Sequence, residues 1–107
     1  MNSEIINIYN VCKNIAENRP DSEVNVLLAE ELSELIKAVM KLERFYMYDE
    51  SLRCDYDDIY DNIYEELADV TIMLFQFIYK NKLSQQNLID AISMKIIRYY
   101  ETISDEK

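Results

Sequence analysis

The chain contains no glycine, and Pro20 is its only proline. Tight β-hairpins need residues that adopt a positive φ at little cost, and glycine does so most readily. Phosphate-binding loops of the P-loop and dinucleotide-binding types also depend on glycine. Half of the 107 residues are apolar, which is enough to form a modest core. We therefore expect an all-α protein that folds as a single domain over residues 1–107.

The apolar periodicity predicts four helices. A break is expected at Arg19 and Pro20, because the residue before a proline avoids the helical conformation. Ser22 and Ser84 are the expected caps of the second and fourth helices. The leucine and isoleucine spacing of the second and third helices is typical of antiparallel bundles, so the expected fold is a four-helix bundle. The predicted helices cover residues 3–18, 22–44, 58–80 and 84–103.

Several classes of site are excluded by composition. The chain has no histidine, which excludes a histidine general base, a Ser-His-Asp triad and any zinc site that contains histidine. Cys12 and Cys54 lack the number and spacing of a metal knuckle or a disulfide framework, so we interpret them as free thiols in a reducing compartment. The amino terminus has no signal-peptide pattern. The longest apolar run, residues 70–79, is about half of the ~20 residues that span a membrane, and we expect a cytoplasmic protein.

The acidic balance of the chain limits its partners. Asp and Glu number 21 and Lys and Arg 11, for a formal net charge of −10. Binding of nucleic acid through its phosphates requires clustered basic residues, so no nucleic-acid partner is expected. Acids are densest between residues 49 and 69. Such a run is either a solvated face or a means of concentrating divalent cations.

Two pairs of acids occupy unusual places in the helical pattern. At about 100° per residue, Glu31 falls inside the apolar arc of the second helix and Glu66 inside that of the third. Glu34 and Asp69 lie at the edges of the same arcs. Carboxylates directed at a core are costly unless a cation meets them. If the two helices pack antiparallel, all four carboxylates converge, and oxygen ligands of this kind suit Mg²⁺ or Mn²⁺.

The fourth helix carries cations in the corresponding place. Lys95 falls inside its apolar arc and Arg98 at its edge, where they would bind phosphate oxygens. Alternatively, the stem of Lys95 lies along the bundle surface, and Arg98 pairs with a surface acid. Asn62, one turn before Glu66, is a candidate contact to metal-bound water or to a sugar. Hard cations held by carboxylates without histidine indicate phosphate chemistry.

The motifs that carry these residues have a family resemblance. The segments LAEELSELIKA (28–38), EELADV (65–70) and KIIR (95–98) resemble the EExxE…ExxD signature, with its trailing Kxx(R), of the all-α nucleoside triphosphate pyrophosphohydrolases, the MazG-like family. The resemblance implies Mg²⁺-dependent hydrolysis of a nucleoside triphosphate to the monophosphate and pyrophosphate, by a homodimer or a dimer of dimers.

By position in the motifs, the resemblance assigns roles to seven residues. Lys95 and Arg98 would bind phosphate, and Glu30 would orient water or a second metal ion. The implied metal ligands are Glu31, Glu34, Glu66 and Asp69.

The connection between the two acidic motifs departs from the family pattern. Glu34 and Glu66 are separated by 31 residues, which is longer than the connection common in the family. The tyrosine-rich segment 45–57 lies within it and is expected to be a loop or an extension of the helices. It is either a lid that stacks on the base, through Tyr46, Tyr48 or Tyr56, or packing at a dimer interface. No residue reads a nucleobase by an identifiable rule, so the preferred base and sugar stay open.

Two readings from other classes compete with the enzyme. The first is an acidic helical interaction module that mimics nucleic acid through its charge. The second is a structural helical bundle whose acids bind a cation for stability.

Overall fold

The computed structural model describes residues 3–47 and 56–106, and neither range contains a strand. The prediction of an all-α protein is confirmed. Each predicted helix end lies within three residues of the observed one. The observed helices are α1 (Ser3–Glu17), α2 (Asp21–Met47), α3 (Tyr56–Lys80) and α4 (Gln85–Glu106).

The tyrosine-rich segment is only partly described. The end of α2 and the start of α3 extend into it. Tyr48 and the side chains of Tyr46 and Tyr56 lie outside the described residues, so the lid and the packing interpretations both stay predictions.

The turn between α1 and α2 forms at Pro20, as predicted. The amide of Arg19 donates to the carbonyl of Ala16 at 3.0 Å, which ends α1. The Pro20 carbonyl then accepts the amides of Glu23 and Val24 at 3.2 and 3.3 Å, so α2 starts one residue earlier than predicted. Ser22 therefore lies inside the first turn of α2 and does not occupy the predicted cap position.

The turn between α3 and α4 forms without glycine. The amides of Lys82 and Leu83 donate to the carbonyls of Tyr79 and Ile78 at 3.1 and 3.0 Å. These two bonds are those of a Schellman motif, whose positive-φ position is usually glycine. Here a lysine takes it, because Lys82 has φ 54°. Ser84 caps α4 as predicted, since its hydroxyl accepts the Asn87 amide at 3.1 Å.

Helices α2 and α3 form an antiparallel hairpin. An ion pair between Asp21 Oδ1 and Lys80 Nζ at 3.4 Å joins the start of α2 to the end of α3. The side-chain amide of Asn81 also donates, through Nδ2, to Asn25 Oδ1 at 3.2 Å. The adjoining core consists of Val24, Leu28 and Met73, with Leu27 and Phe77 packed against it. The start of α2 is thus fixed to the end of α3, and their middles face each other.

Helix α1 covers another side of α3. Its Tyr9 ring meets Phe75 edge-on at 5.6 Å between centroids, and the Tyr79 hydroxyl donates to Glu17 Oε1 at 2.9 Å. Cys12 and Ala16 are buried, and burial raises the pKa of the Cys12 thiol. Cys12 is therefore a core residue, and its thiol is free as predicted.

Helix α4 does not complete a bundle with the other three. Residues 85–105 are all exposed, whereas α3 contacts both α2 and α1 extensively. An apolar cavity of about 480 Å³, lined in part by Ile5, Phe75 and Leu88, lies between α1, α3 and the first turns of α4. The Cα radius of gyration is 17.6 Å, against about 13 Å expected for a compact chain of this length. Lys95 and Arg98, predicted to face a bundle interior, are both exposed.

No helix within the described ranges combines the length and the apolar character that crossing a bilayer requires.

Candidate metal centre

Three carboxylates meet between the middles of α2 and α3. Glu31, Glu66 and Asp69 each offer an oxygen, and these oxygens lie within 4.8 Å of one another. Glu31 shares the buried face of α2 with Leu28 and Ala38. Because the hairpin is antiparallel, the buried face of α3 brings Glu66 opposite it. The structure thus brings together three of the four acids that the sequence analysis proposed as ligands.

Burial differs between the three carboxylates. Glu31 and Glu66 are half-buried, whereas Asp69 is exposed. Glu66 Oε2 is itself buried and has no hydrogen-bond partner. A buried anionic oxygen without a donor is costly, and such groups in proteins are normally paired or coordinate a metal. The Glu66 oxygen therefore indicates a position for a cation.

Electrostatics supports the same reading. Partial burial raises the pKa of Glu31, and the negative charges of Asp69 and Glu66 raise it further. Glu34 and Glu30 contribute smaller effects of the same sign. A carboxyl whose pKa rises for these reasons is relieved either by a proton or by a metal ion. The cluster lacks positive charge, and a divalent cation would supply it.

Glu34 lies outside the cluster. Its Oε1 pairs with Lys37 Nζ at 3.2 Å, and both side chains are largely exposed. Glu34 and Asp69 have the same rotation of about 60° from Glu31 and Glu66. Rotation alone therefore does not separate them: Asp69 joins the cluster, whereas Glu34 pairs with Lys37. An exposed pair with this spacing is worth only a few tenths of a kcal/mol. Glu34 can therefore leave Lys37 for a metal ion at low cost.

The remaining candidates occupy two different places. Asn62 is half-buried on α3, one turn before Glu66. Glu30 is exposed on α2, beside the cluster. Lys95 and Arg98 lie on α4, which the described chain does not pack against the hairpin, so it does not bring them to the carboxylates.

Arg19, which the sequence marks only as part of a helix break, contacts α3 near the carboxylates. Arg19 is half-buried, and its Nη1 lies 3.7 Å from Met73 Sδ. Met73 follows Asp69 by one turn of α3. Local pattern gives no signal for this position, because Arg19 reaches α3 only through the turn between α1 and α2.

The donor set restricts the type of metal ion. Carboxylate oxygens without nitrogen or sulfur ligands suit hard cations such as Mg²⁺ and Mn²⁺. Three carboxylates with one exposed member leave coordination positions for water and for other oxygen ligands. The residues present therefore fit a Mg²⁺ or Mn²⁺ ion.

Comparison with known proteins finds no matching family model, no matching curated protein and no matching solved structure.

Proposed function

We propose that this protein is a metal-dependent nucleoside triphosphate pyrophosphohydrolase, which converts a ribo- or deoxyribonucleoside triphosphate to the monophosphate and pyrophosphate. The proposal rests on the cluster of Glu31, Glu66 and Asp69, with its unpaired buried Glu66 oxygen. These acids lie in motifs that resemble the MazG-like signature.

In the proposed site, each acid has a role that follows from its position. Glu31, Glu66 and Asp69 hold Mg²⁺ or Mn²⁺, and Glu34 joins them when it leaves Lys37. A bound ion neutralises charge on phosphate oxygens and lowers the pKa of a bound water. Glu30 orients water at the exposed side of the cluster. Asn62 lies where it would contact such a water or the sugar.

The exposed apolar surface supports assembly with a second copy. The chain exposes 8487 Å², whereas a folded monomer of 12.8 kDa would expose about 6,300 Å². The excess is more than twice the ~800 Å² per partner that a standard interface buries. On α2 and α3, the exposed apolar residues include Leu32, Ile36, Val39, Met40, Leu67 and Leu74.

Five of these six apolar residues lie on one side of the hairpin, and Met40 lies on its outer face. At 100° per residue, Leu32 and Leu67 are each rotated by +100° from the carboxylate that precedes them, Glu31 or Glu66. In an antiparallel pair, equal rotations lead to the same side. Glu34 and Asp69, at −60°, lie on the opposite side. We propose a homodimer, alone or as half of a tetramer, in which a second copy covers the apolar side and completes the bundle.

In the proposed dimer, helix α4 of one copy supplies Lys95 and Arg98 to the carboxylate cluster of the other copy. A mixture of two inactive variants tests the arrangement, with Glu66→Gln in one chain and Lys95→Ala with Arg98→Ala in the other. In a dimer that exchanges α4, each mixed pair contains one intact site, so an equilibrated mixture recovers about one quarter of wild-type turnover. If the cations act within their own chain, mixing restores nothing.

The reaction itself is tested by incubating the protein with Mg²⁺ and a panel of nucleoside triphosphates. Pyrophosphate release without orthophosphate is expected, because the cleaved bond lies between the α- and β-phosphorus atoms. Glu66→Gln and Asp69→Asn should lower kcat/KM at least ~100-fold, since each removes a group that stabilises transition-state charge. Glu43→Gln, an exposed acid of α2 away from the cluster, is the matched control. The proposal is wrong if the protein releases neither pyrophosphate nor orthophosphate from any nucleotide tested.

Metal binding without activity would favour the structural bundle instead. If binding to a partner depends on scattered surface acids and not on Glu66, the acidic interaction module is favoured. A cytoplasmic location belongs to the same proposal, because two isolated thiols are typical of a reducing compartment.

A further inference from the structure

We propose that Arg19 binds the substrate's phosphates beside the carboxylate cluster, as a cation supplied by the same chain. This inference rests on the proposed function and adds a residue that the motifs do not contain.

The backbone of Arg19 is fixed from both sides. Its amide donates to the Ala16 carbonyl at 3.0 Å, at the end of α1. The next residue, Pro20, has a restricted φ and accepts the first amide bonds of α2. The side chain therefore leaves a rigid turn in a defined direction. That direction takes its guanidinium across α3 to Met73 Sδ, at 3.7 Å.

This contact places the guanidinium near the cluster. Met73 and Asp69 are four residues apart, which corresponds to about 6 Å along the helix axis and a rotation of about 40°. Arg19 thus lies over the strip of α3 that carries Asp69. Asp69 and Glu34 both point to the side of the hairpin away from Leu32 and Leu67. A phosphate chain held beside Asp69 would therefore extend within reach of Arg19.

The guanidinium has donors to spare. Among the described residues no carboxylate forms an ion pair with Arg19, although the chain carries 21 acids against 11 bases. Lys37 and Lys80, by contrast, pair with Glu34 and Asp21. Thioether sulfur is a weak acceptor, and a guanidinium has five N–H donors in a fork that matches phosphate. A half-buried arginine without an anion is the expected state of an anion-binding residue before its ligand arrives.

The charge of the substrate requires such a residue. A nucleoside triphosphate keeps a net negative charge after one divalent ion binds, and the surrounding acids would repel it. Lys95 and Arg98 do not reach the cluster in the described chain. Arg19 is a cation that the fold holds against Met73, a residue one turn from Asp69.

Equilibrium binding separates this role from simple packing of the arginine stem. Inorganic pyrophosphate and a triphosphate with an α,β-imido bridge are titrated calorimetrically into the protein with Mg²⁺ present. Hydrogen bonds to charged groups are worth about 1.5–3 kcal/mol, so Arg19→Gln should weaken both probes about 10- to 150-fold. Arg19→Lys should recover part of the loss, because it keeps the charge without the fork. Arg44→Gln is the matched control, since Arg44 is exposed near the end of α2.

Three further results decide between the proposals. Binding of the unphosphorylated nucleoside and the metal-dependent melting shift should be unchanged in Arg19→Gln; losses there of the same size would mean a structural role. Probe affinity within twofold of wild type in Arg19→Gln overturns the Arg19 proposal while leaving the hydrolase intact. A wild-type protein that binds pyrophosphate through Arg19 but hydrolyses no nucleotide overturns the hydrolase alone, and one that binds neither probe overturns both.

Discussion

Binding of Mg²⁺ or Mn²⁺ should raise the melting temperature of this protein, and the rise should depend on Glu66 more than on Glu34. A ligand that binds only the folded state stabilises it by RT ln(1 + [L]/Kd), which is about 2.7 kcal/mol at one hundred times Kd. For a domain near 100 residues, each kcal/mol shifts the melting temperature by about 4–8 °C. The expected rise at that metal concentration is therefore about 11–22 °C.

The structure distinguishes the two glutamates. Glu66 contributes a buried oxygen that has no other partner, so Glu66→Gln should abolish the rise. Glu34 pairs with Lys37 outside the cluster, so Glu34→Gln should retain most of it. Without metal, Glu66→Gln should be at least as stable as wild type, because it removes an uncompensated charge.

Thermal melts followed by circular dichroism, with metal titrated at constant ionic strength, measure these shifts. The proposed metal centre is wrong if a chelator leaves the wild-type melt unchanged. If Glu34→Gln abolishes the rise as completely as Glu66→Gln, the three-carboxylate geometry is wrong although a metal is bound.

Three other outcomes are expected. Because the fold raises the pKa of Glu31, the metal-free folded state binds more protons than the unfolded state above the ordinary glutamate range. Urea unfolding should therefore show stability falling as pH rises through that window; the slope should flatten in Glu31→Gln or with saturating Mg²⁺, and a rise with pH would contradict the reasoning. Lys82→Gly should stabilise the protein by about 0.5–1 kcal/mol, since relief of the positive φ outweighs the entropy that glycine adds to the unfolded chain; a loss in chemical denaturation would refute this. Ile96→Asp should lower the oligomer mass in sedimentation equilibrium, whereas Ile97→Asp, equally exposed but off the arc of Lys95, should not; equal effects would exclude that face as the interface.

The sequence predicted features that local chemistry determines. Pro20 and Ser84 marked two helix ends because a proline and a capping hydroxyl act on their own neighbours. Lys82 carried no such signal, since lysine is not a typical residue for positive φ. The place of Glu31 and Glu66 followed from periodicity, which is reliable in the middle of a long helix.

Features that depend on contacts between distant elements were missed or only partly predicted. Glu34 and Asp69 were both placed at the edges of arcs, and only the packed hairpin shows that Asp69 joins the cluster whereas Glu34 does not. Arg19 contacts a residue 54 positions away, which no local pattern encodes. Periodicity predicts an apolar arc on α4, but it does not tell whether the partner of that arc belongs to the same chain.

The position of the carboxylates along the hairpin has a consequence for its motion. The core of Val24, Leu28 and Met73 and the ion pair of Asp21 with Lys80 close one end, while the like charges repel farther along. In the metal-free protein, separation of the helices should therefore begin beyond this closed end, and amide hydrogens there should exchange faster than those near Val24. Under the proposed function, such breathing would open a path for a nucleotide, and an ion that bridges the two helices would slow it. Loading with metal would then set the residence time of a nucleotide in the proposed site.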